Sequence, residues 1–292
     1  MPHRRRRPAR PAVWVAALLG AALLAGCTSS TAGTGPPVAP SAEPTVAAPP
    51  SAPATQRALP LYYAVDSSAG PRLAREFRRL PVDTDPGTAA VTALFAAPAG
   101  TVPGHRNLWA VDAGLAAPVT HEGGVVTVDL DAAAAGTRPD DPALAVQQLV
   151  YTVTGALGTA DPVRLLVAGE PVPRLWSDGV DTSQPVARAD PLDVRLLVGI
   201  DDPAEGAALR SPVRVSGEAA VFEATLLWEV RQDGAVVLSG FTSTAEGQRF
   251  APYAFSLDLP PGEYEIQVAE DDPSAGAGRA VMTDSRRITV TP

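Results

Sequence analysis

Apolar positions along this chain change their spacing three times. Val13 to Leu24 is a continuous apolar run, interrupted by nothing more polar than Gly20. From Leu59 the pattern alternates, and Leu61, Tyr63 and Val65 are spaced as in a strand. Asp85-Pro86 then offers an N-cap acceptor and a proline at the first helical position. Val91, Leu94 and Phe95 follow as a stripe that Pro98 ends. Val126, Val128 and Leu130 alternate with Thr127 and Asp129, which predicts a strand. Asp141-Pro142 opens a second helix with Val146, Leu149, Val150, Val153 and Leu157 on its buried face and Gly158 as its C-terminal cap. Val163, Leu165 and Val167 form a further strand, closed by Gly169. Residues 59–180 therefore read as an α+β unit, two helices laid on one face of a small mixed sheet.

Past a linker at 181–191 no helical stripe recurs. Short strand candidates replace it: 194–200, 213–217, 224–231, 235–241, 253–259, 263–269 and 285–291. Asp202-Pro203, Asp233-Gly234 and Pro261-Gly262 separate them as turns. Many short strands at such spacing predict an all-β immunoglobulin-like sandwich over 192–292. It has no cysteine pair, so its core must hold by packing, with Trp228, Phe255 and Leu257 as expected members. No internal repeat links the two halves.

The N-terminal run has a different purpose. Arg4 to Arg7 and Arg10 precede it, and it is too short to span a bilayer comfortably, so residues 1–26 read as a signal peptide. It ends in Leu24-Ala25-Gly26-Cys27, which resembles the lipobox of bacterial lipoproteins. The resemblance implies cleavage between Gly26 and Cys27, a diacylglyceryl thioether on the Cys27 sulfur, palmitate-type acylation, and a place on the outer face of the cell membrane. Cys27 is the chain's only cysteine. Residues 27–58 are dominated by Ser, Thr, Ala, Gly and Pro, and predict a disordered, semi-extended tether. Loss of the leader leaves 18 Arg against 32 acidic residues, a formal charge of −14. The expected membrane contact is therefore the lipid and not the acidic body.

Composition removes several classes. All 23 basic residues are Arg, which excludes a P-loop, a kinase phosphate-binding lysine and any Schiff-base enzyme. The acidic excess argues against a nucleic-acid partner. His121-Glu122 resembles half of a zinc motif, but Val125 stands where the second histidine is needed and Gly123-Gly124 predicts a hairpin turn. His105, beside Arg106 and Trp109, reads as a surface loop residue. Glu270-Asp271-Asp272 and Asp201-Asp202 are acidic loops that lack the glycine spacing of a calcium loop. Asp129 is a single carboxylate, expected to cap or orient the segment after it, and has no partner for glycoside hydrolysis. Glu223 lies in an alternating strand and would need an Arg partner if buried. Trp176 and Arg188 fall in the segment joining the halves, where a Trp is expected to pack a seam. No catalytic residues, metal ligands or cofactor emerge. The expected interaction surface is Asp129, Tyr151, Thr152 and Trp176, together with whichever of the strands 126–130 and 163–167 is an exposed sheet edge.

Three segments carry a family resemblance. Val126-Thr127-Val128-Asp129-Leu130, then Gln147 to Thr154, then Val163-Arg164-Leu165-Leu166-Val167-Ala168-Gly169, resemble the GerM-type domain (GerMN) of sporulation and spore germination. Ser211-Pro212-Val213, Gly217, Val221 to Ala224 and Pro252 to Phe255 resemble the immunoglobulin-like domain that accompanies GerMN in envelope lipoproteins. The order lipid, tether, GerMN, sandwich resembles an actinobacterial lipoprotein arrangement. The resemblance implies an assembly or binding role towards an envelope protein or wall polymer, linked to sporulation, germination or envelope maintenance, and brings no catalytic residues. The competing expectation is a hydrolase acting on the cell wall.

Overall fold

In the computed structural model, residues 55–82, 85–272 and 277–292 are described. The leader, Cys27 and nearly all of the expected tether lie outside them. The described residues belong to one compact unit that spans residues 52–292.

The first half opens with a long hairpin of β1 (Gln56–Ser67) and β2 (Gly70–Pro81), paired from Gln56↔Pro81 to Ser67↔Gly70. It continues through α1 (Pro86–Phe95), β3 (Thr120–Glu122), β4 (Val125–Leu130), α2 (Ala132–Gly136) and α3 (Pro142–Leu157). The short strands β5 (Val163–Val167), β6 (Glu170–Pro171), β7 (Arg174–Leu175) and β8 (Val180–Asp181) close it. Both expected helices start at their Asp-Pro pairs. Asp85 accepts the Thr88 N–H at 2.8 Å and Asp141 the Leu144 N–H at 3.0 Å. Gly158 caps α3 at φ 70°, in the left-handed region.

Sheet order is β3-β4-β5-β6, with β4 parallel to β5 and α3 in the crossover between them. Val146, Leu149, Val150 and Val153 of α3 pack with Val126, Val128, Val163 and Leu165 of the sheet. The opposite side of α3 is covered as well: Leu144 and Tyr151 pack against Tyr62, Ala64 and Leu73 of the hairpin. The helix is thus enclosed by two layers. Its buried polar side chains are accounted for. Gln148 Nε2 donates to the Tyr62 carbonyl at 2.9 Å, and the Thr152 hydroxyl accepts the Tyr62 N–H at 3.1 Å. Burial of such groups is tolerable only when they are paired in this way.

A single turn of helix, α4 (Pro191–Val194), leads into the second half, so Val194 is helical and not the start of a strand. There follow β9 (Val198–Asp202), β10 (Ala207–Arg210), β11 (Val213–Ala219), β12 (Thr225–Gln232), β13 (Ala235–Ser243), β14 (Ala251–Leu257), β15 (Gly262–Glu270) and β16 (Thr283–Thr291). They form two sheets, ordered β10-β16-β15-β12-β13 and β14-β11-β9. The strand β10 has no counterpart in the sequence reading; it is short and runs parallel to β16. Val213, Val215, Leu226, Val230, Tyr253, Leu257, Ile266, Val268, Ile288 and Val290 build the core between the sheets. Trp228 and Phe255 stack at its rim, 5.2 Å between ring centroids, and are partly buried.

One buried ion pair joins the two sheets. Arg286 Nη1 meets Asp284 Oδ1 at 2.5 Å, Asp284 accepts the Ile200 N–H at 2.8 Å, and Arg286 Nη2 donates to the Ile200 carbonyl at 2.6 Å. Every charge-bearing atom that leaves water there gains a partner, as burial of charge requires. Close approach of β9 to β11 depends on Gly217, because a Cβ there would lie 1.9 Å from the Gly199 carbonyl oxygen.

Candidate interaction surface

The four residues expected to form a surface are not one. Tyr151 and Thr152 are buried inside the enclosure of α3. The Tyr151 hydroxyl donates to the Ala189 carbonyl at 2.7 Å, its ring lies 5.2 Å from that of Tyr62, and the Arg188 guanidinium covers its other face at 4.9 Å. Trp176 is buried in the core of the first half, 5.5 Å from the Trp109 ring, and not in a seam between the halves. Asp129 is half-buried and accepts the Gly169 N–H at 2.9 Å, which fastens the turn from β5 to β6. The residue that caps α2 is Asp131, through the Ala134 N–H at 2.8 Å. Glu223 is exposed on a 3-10 turn at φ 49°, so it needs no buried partner.

Neither expected edge is an edge. The strand β4 pairs with β3 and β5, and Leu130 bridges to Leu115. The strand β5 pairs with β4 and β6, and Val163 bridges to Val186. Their hydrogen-bonding groups are therefore engaged on both sides, which excludes strand addition at either.

The two histidines among the described residues are each paired with a carboxylate. His105 is buried, not at the surface, and its Nδ1 lies 2.8 Å from Glu76 Oε1. Glu76 also accepts the Thr101 N–H at 2.9 Å, the Thr101 hydroxyl at 2.6 Å and the Val102 N–H at 3.2 Å. Burial alone would raise the pKa of this carboxyl. The hydrogen bonds from His105 and Thr101 outweigh it and hold the pKa down at about 2. His121 Nε2 is 2.7 Å from Asp161 Oδ2 at the surface, and that bond lowers the Asp161 pKa. Among the described residues no group of three or more His, Cys, Asp or Glu is placed to hold a metal ion.

A polar seam joins the halves. Arg75 on β2 reaches Asp201 Oδ2 at 2.6 Å and Oδ1 at 3.0 Å, and Glu218 Oε2 at 2.9 Å. Arg195 approaches the same Glu218 oxygen at 3.2 Å while its guanidinium sits 3.9 Å over the Phe250 ring. Burial pushes the Asp201 carboxyl up, and Arg75 counters only part of that. For Glu218 burial acts the same way, but Arg75 and Arg195 together prevail and its pKa falls.

Most of the exposed large apolar side chains among the described residues lie on the second half. The end strand β13 of the five-stranded sheet exposes Val236 (51%), Val237 (52%), Leu238 (41%) and Phe241 (72%). Its neighbour β12 adds Leu227, and an apolar groove of about 460 Å³ runs on past Ala269 and Val281 to Thr283. Trp228 lies flat beneath the strand at Gly240, where a Cβ would come within 2.5 Å of the indole. Only glycine fits between strand and ring at this place. Period-2 alternation could not reveal this surface, because Ala-Val-Val-Leu reads as a covered strand.

Two family models match separate stretches of the chain. Residues 60–173 match the family model described as sporulation and spore germination, and residues 197–277 match the immunoglobulin-like domain of bacterial spore germination. Among solved structures, the tandem GerMN domains of the sporulation protein GerM from Bacillus subtilis are similar at 16% identity and a TM-score of 0.39, covering 70% of this chain and 62% of that one. The first GerMN domain of that protein matches at 18% identity and a TM-score of 0.35, over 45% of this chain and 99% of the domain. A putative lipoprotein from Clostridium perfringens matches at 16% identity and a TM-score of 0.31, over 48% of this chain and 93% of that chain. No curated protein matches.

Proposed function

Starting from a chain that is a GerMN-type protein with a C-terminal immunoglobulin-like domain, we propose that it is a non-enzymatic envelope lipoprotein, anchored through Cys27, whose two halves present an assembly surface outside the membrane. Its matched domain families are not known enzymes. The observation that carries the reading is a contrast within the molecule. The histidines among the described residues are locked in carboxylate pairs, and the acids at the seam are neutralised by Arg75 and Arg195. The apolar face along β13, in contrast, stands open. Catalysis of wall hydrolysis needs a positioned acid and base or a metal-held water. An assembly surface needs an exposed apolar patch. The partner on this reading is an envelope protein, with the membrane contacted by lipid alone.

The test is complementation of a deletion strain. His121→Ala and Asp129→Ala are expected to restore the envelope phenotype fully, because neither does chemistry. Phe241→Glu, folded and lipidated, is expected not to restore it. Loss of function from either alanine variant in a folded, lipidated protein would support the wall-hydrolase alternative instead.

A further inference from the structure

A cleft of about 680 Å³ lies where the hairpin meets the sandwich. Its floor is the outer face of the sheet β14-β11-β9, across the core from the sheet that carries β13. On β11, Arg214, Ser216 and Glu218 alternate with the buried Val213, Val215 and Gly217. The three therefore point to one side, spaced about 7 Å apart along the strand. Ala254 pairs with Ser216 from β14, and two small side chains make the middle of the floor. Arg75 and Phe77 of β2 form one wall, and the segment that leads from Ser243 into β14 forms another. The Arg75 guanidinium lies 5.1 Å from the centre of the Phe77 ring and steadies it, while that ring stays 40% exposed.

The polar groups of this cleft are used unequally. At one end Arg75 and Arg195 neutralise Asp201 and Glu218. At the other end Arg214 is exposed and, among the described residues, has no ion-pair partner. Neither the Ser216 nor the Ser243 hydroxyl makes a hydrogen bond to another described residue. An uncompensated guanidinium offers paired N–H donors to a planar anion, a carboxylate above all. Free hydroxyls over a floor of small side chains suit a ligand rich in its own hydroxyls. A fixed aromatic ring at the rim suits the apolar face of a sugar ring. Clefts between packed units, with a few convergent polar groups, are where small ligands bind.

We propose that this cleft binds a carboxylate-bearing sugar, with the carboxylate on Arg214, ring hydroxyls on Ser216 and Ser243, and one sugar face on Phe77. The site goes beyond the assembly reading and is independent of it, because it shares no residue with the face along β13.

The experiment titrates the full-length chain, in a Cys27→Ala background, with the disaccharide of N-acetylglucosamine and N-acetylmuramic acid. Chitobiose, which has two rings of the same kind and no carboxylate, is the comparison. Amide chemical shifts in two-dimensional NMR are expected to move saturably at Phe77, Arg214, Ser216 and Ala254. Chitobiose and the Arg214→Gln variant are each expected to bind about tenfold more weakly or worse. Phe77→Ala, with circular dichroism unchanged, is expected to weaken binding of both sugars. No saturable shift, shifts confined to other faces, or affinity that Arg214→Gln leaves unchanged overturns the proposal. Lactate competing as well as the disaccharide overturns it too, since the cleft then holds an anion and reads no sugar. Failure of this site leaves the complementation result for Phe241→Glu untouched, so the two readings stand or fall separately.

Discussion

Removing the Glu76 charge is the sharpest probe of how the first half is held together. In Glu76→Gln the shape is nearly kept, but a carboxylate that accepts four hydrogen bonds becomes an amide with one acceptor oxygen and an NH₂ group facing donors. The magnitude follows from the acidity of the carboxyl. Its pKa falls from an ordinary 4.5 to about 2 on folding, and at 1.36 kcal/mol per unit this corresponds to roughly 3 kcal/mol. The sign is set by the direction of the shift. A lowered folded-state pKa means the stabilisation is complete above the unfolded pKa of 4.5 and is lost as pH falls from there to about 2. Thermal unfolding of the wild-type chain should therefore lose stability steeply over that window. Glu76→Gln should start roughly 3 kcal/mol lower at pH 7 and show a much shallower acid limb. For a unit of this size that difference is a Tm lower by about 6 to 12 °C. If the variant matches wild type at neutral pH, or if the two acid limbs run parallel, Glu76 is not the anchor the hydrogen bonds describe.

Arg75→Leu should cost about 3 kcal/mol, because it leaves Asp201 buried without its bidentate partner. With Asp201 then raised further, stability of that variant should rise as pH is lowered from 7 towards 5, read by denaturant midpoints at each pH. Asp141→Ala removes the N-cap of α3 and should cost about 1 kcal/mol in the same assay. Gly217→Ala forces β9 away from β11 and should be lost to aggregation or show a sharply lowered Tm. Cys27→Ser should release an unlipidated, longer precursor, detected by mass spectrometry of the N-terminal peptide; an unchanged mature mass would refute the anchor.

Much of the fold could be read from the sequence because its signals are local. The Asp-Pro pairs at 85 and 141 start helices through contacts three residues away, and Gly158 ends one through its own φ. The strand β2 was illegible because its alternation is hidden by Arg72, Arg75, Glu76, Arg78 and Arg79. Arg75 and Glu76 are tolerated there by partners 126 and 29 residues away. Tyr151 and Thr152 looked available because a one-sided stripe implies a free opposite face, whereas α3 is covered twice. His105 looked like a surface residue because Glu76, its buried partner, belongs to a distant strand. The open surface was missed for the same reason in reverse, since a run of small apolar residues gives no sign of whether a neighbour covers it.

The hairpin of β1 and β2 has a mechanical consequence. Chain tension arriving from the N-terminal side enters at Gln56, and β1 is paired to β2 along its whole length, while β2 grips the sandwich through Arg75, the Leu73 carbonyl and the buried Ala74. A pull between Gln56 and the Arg75 clamp loads the intervening pairs along the strand axis, so they resist together and do not peel one at a time. The clamp sits at the middle of β2, opposite Tyr62. About half of the ladder thus bears the load, and the turn at Ser67–Gly70 stays slack. Under tension, parting the sandwich from the hairpin requires breaking the Arg75 ion pairs with Asp201 and Glu218 together with the Leu196–Leu73 backbone bond.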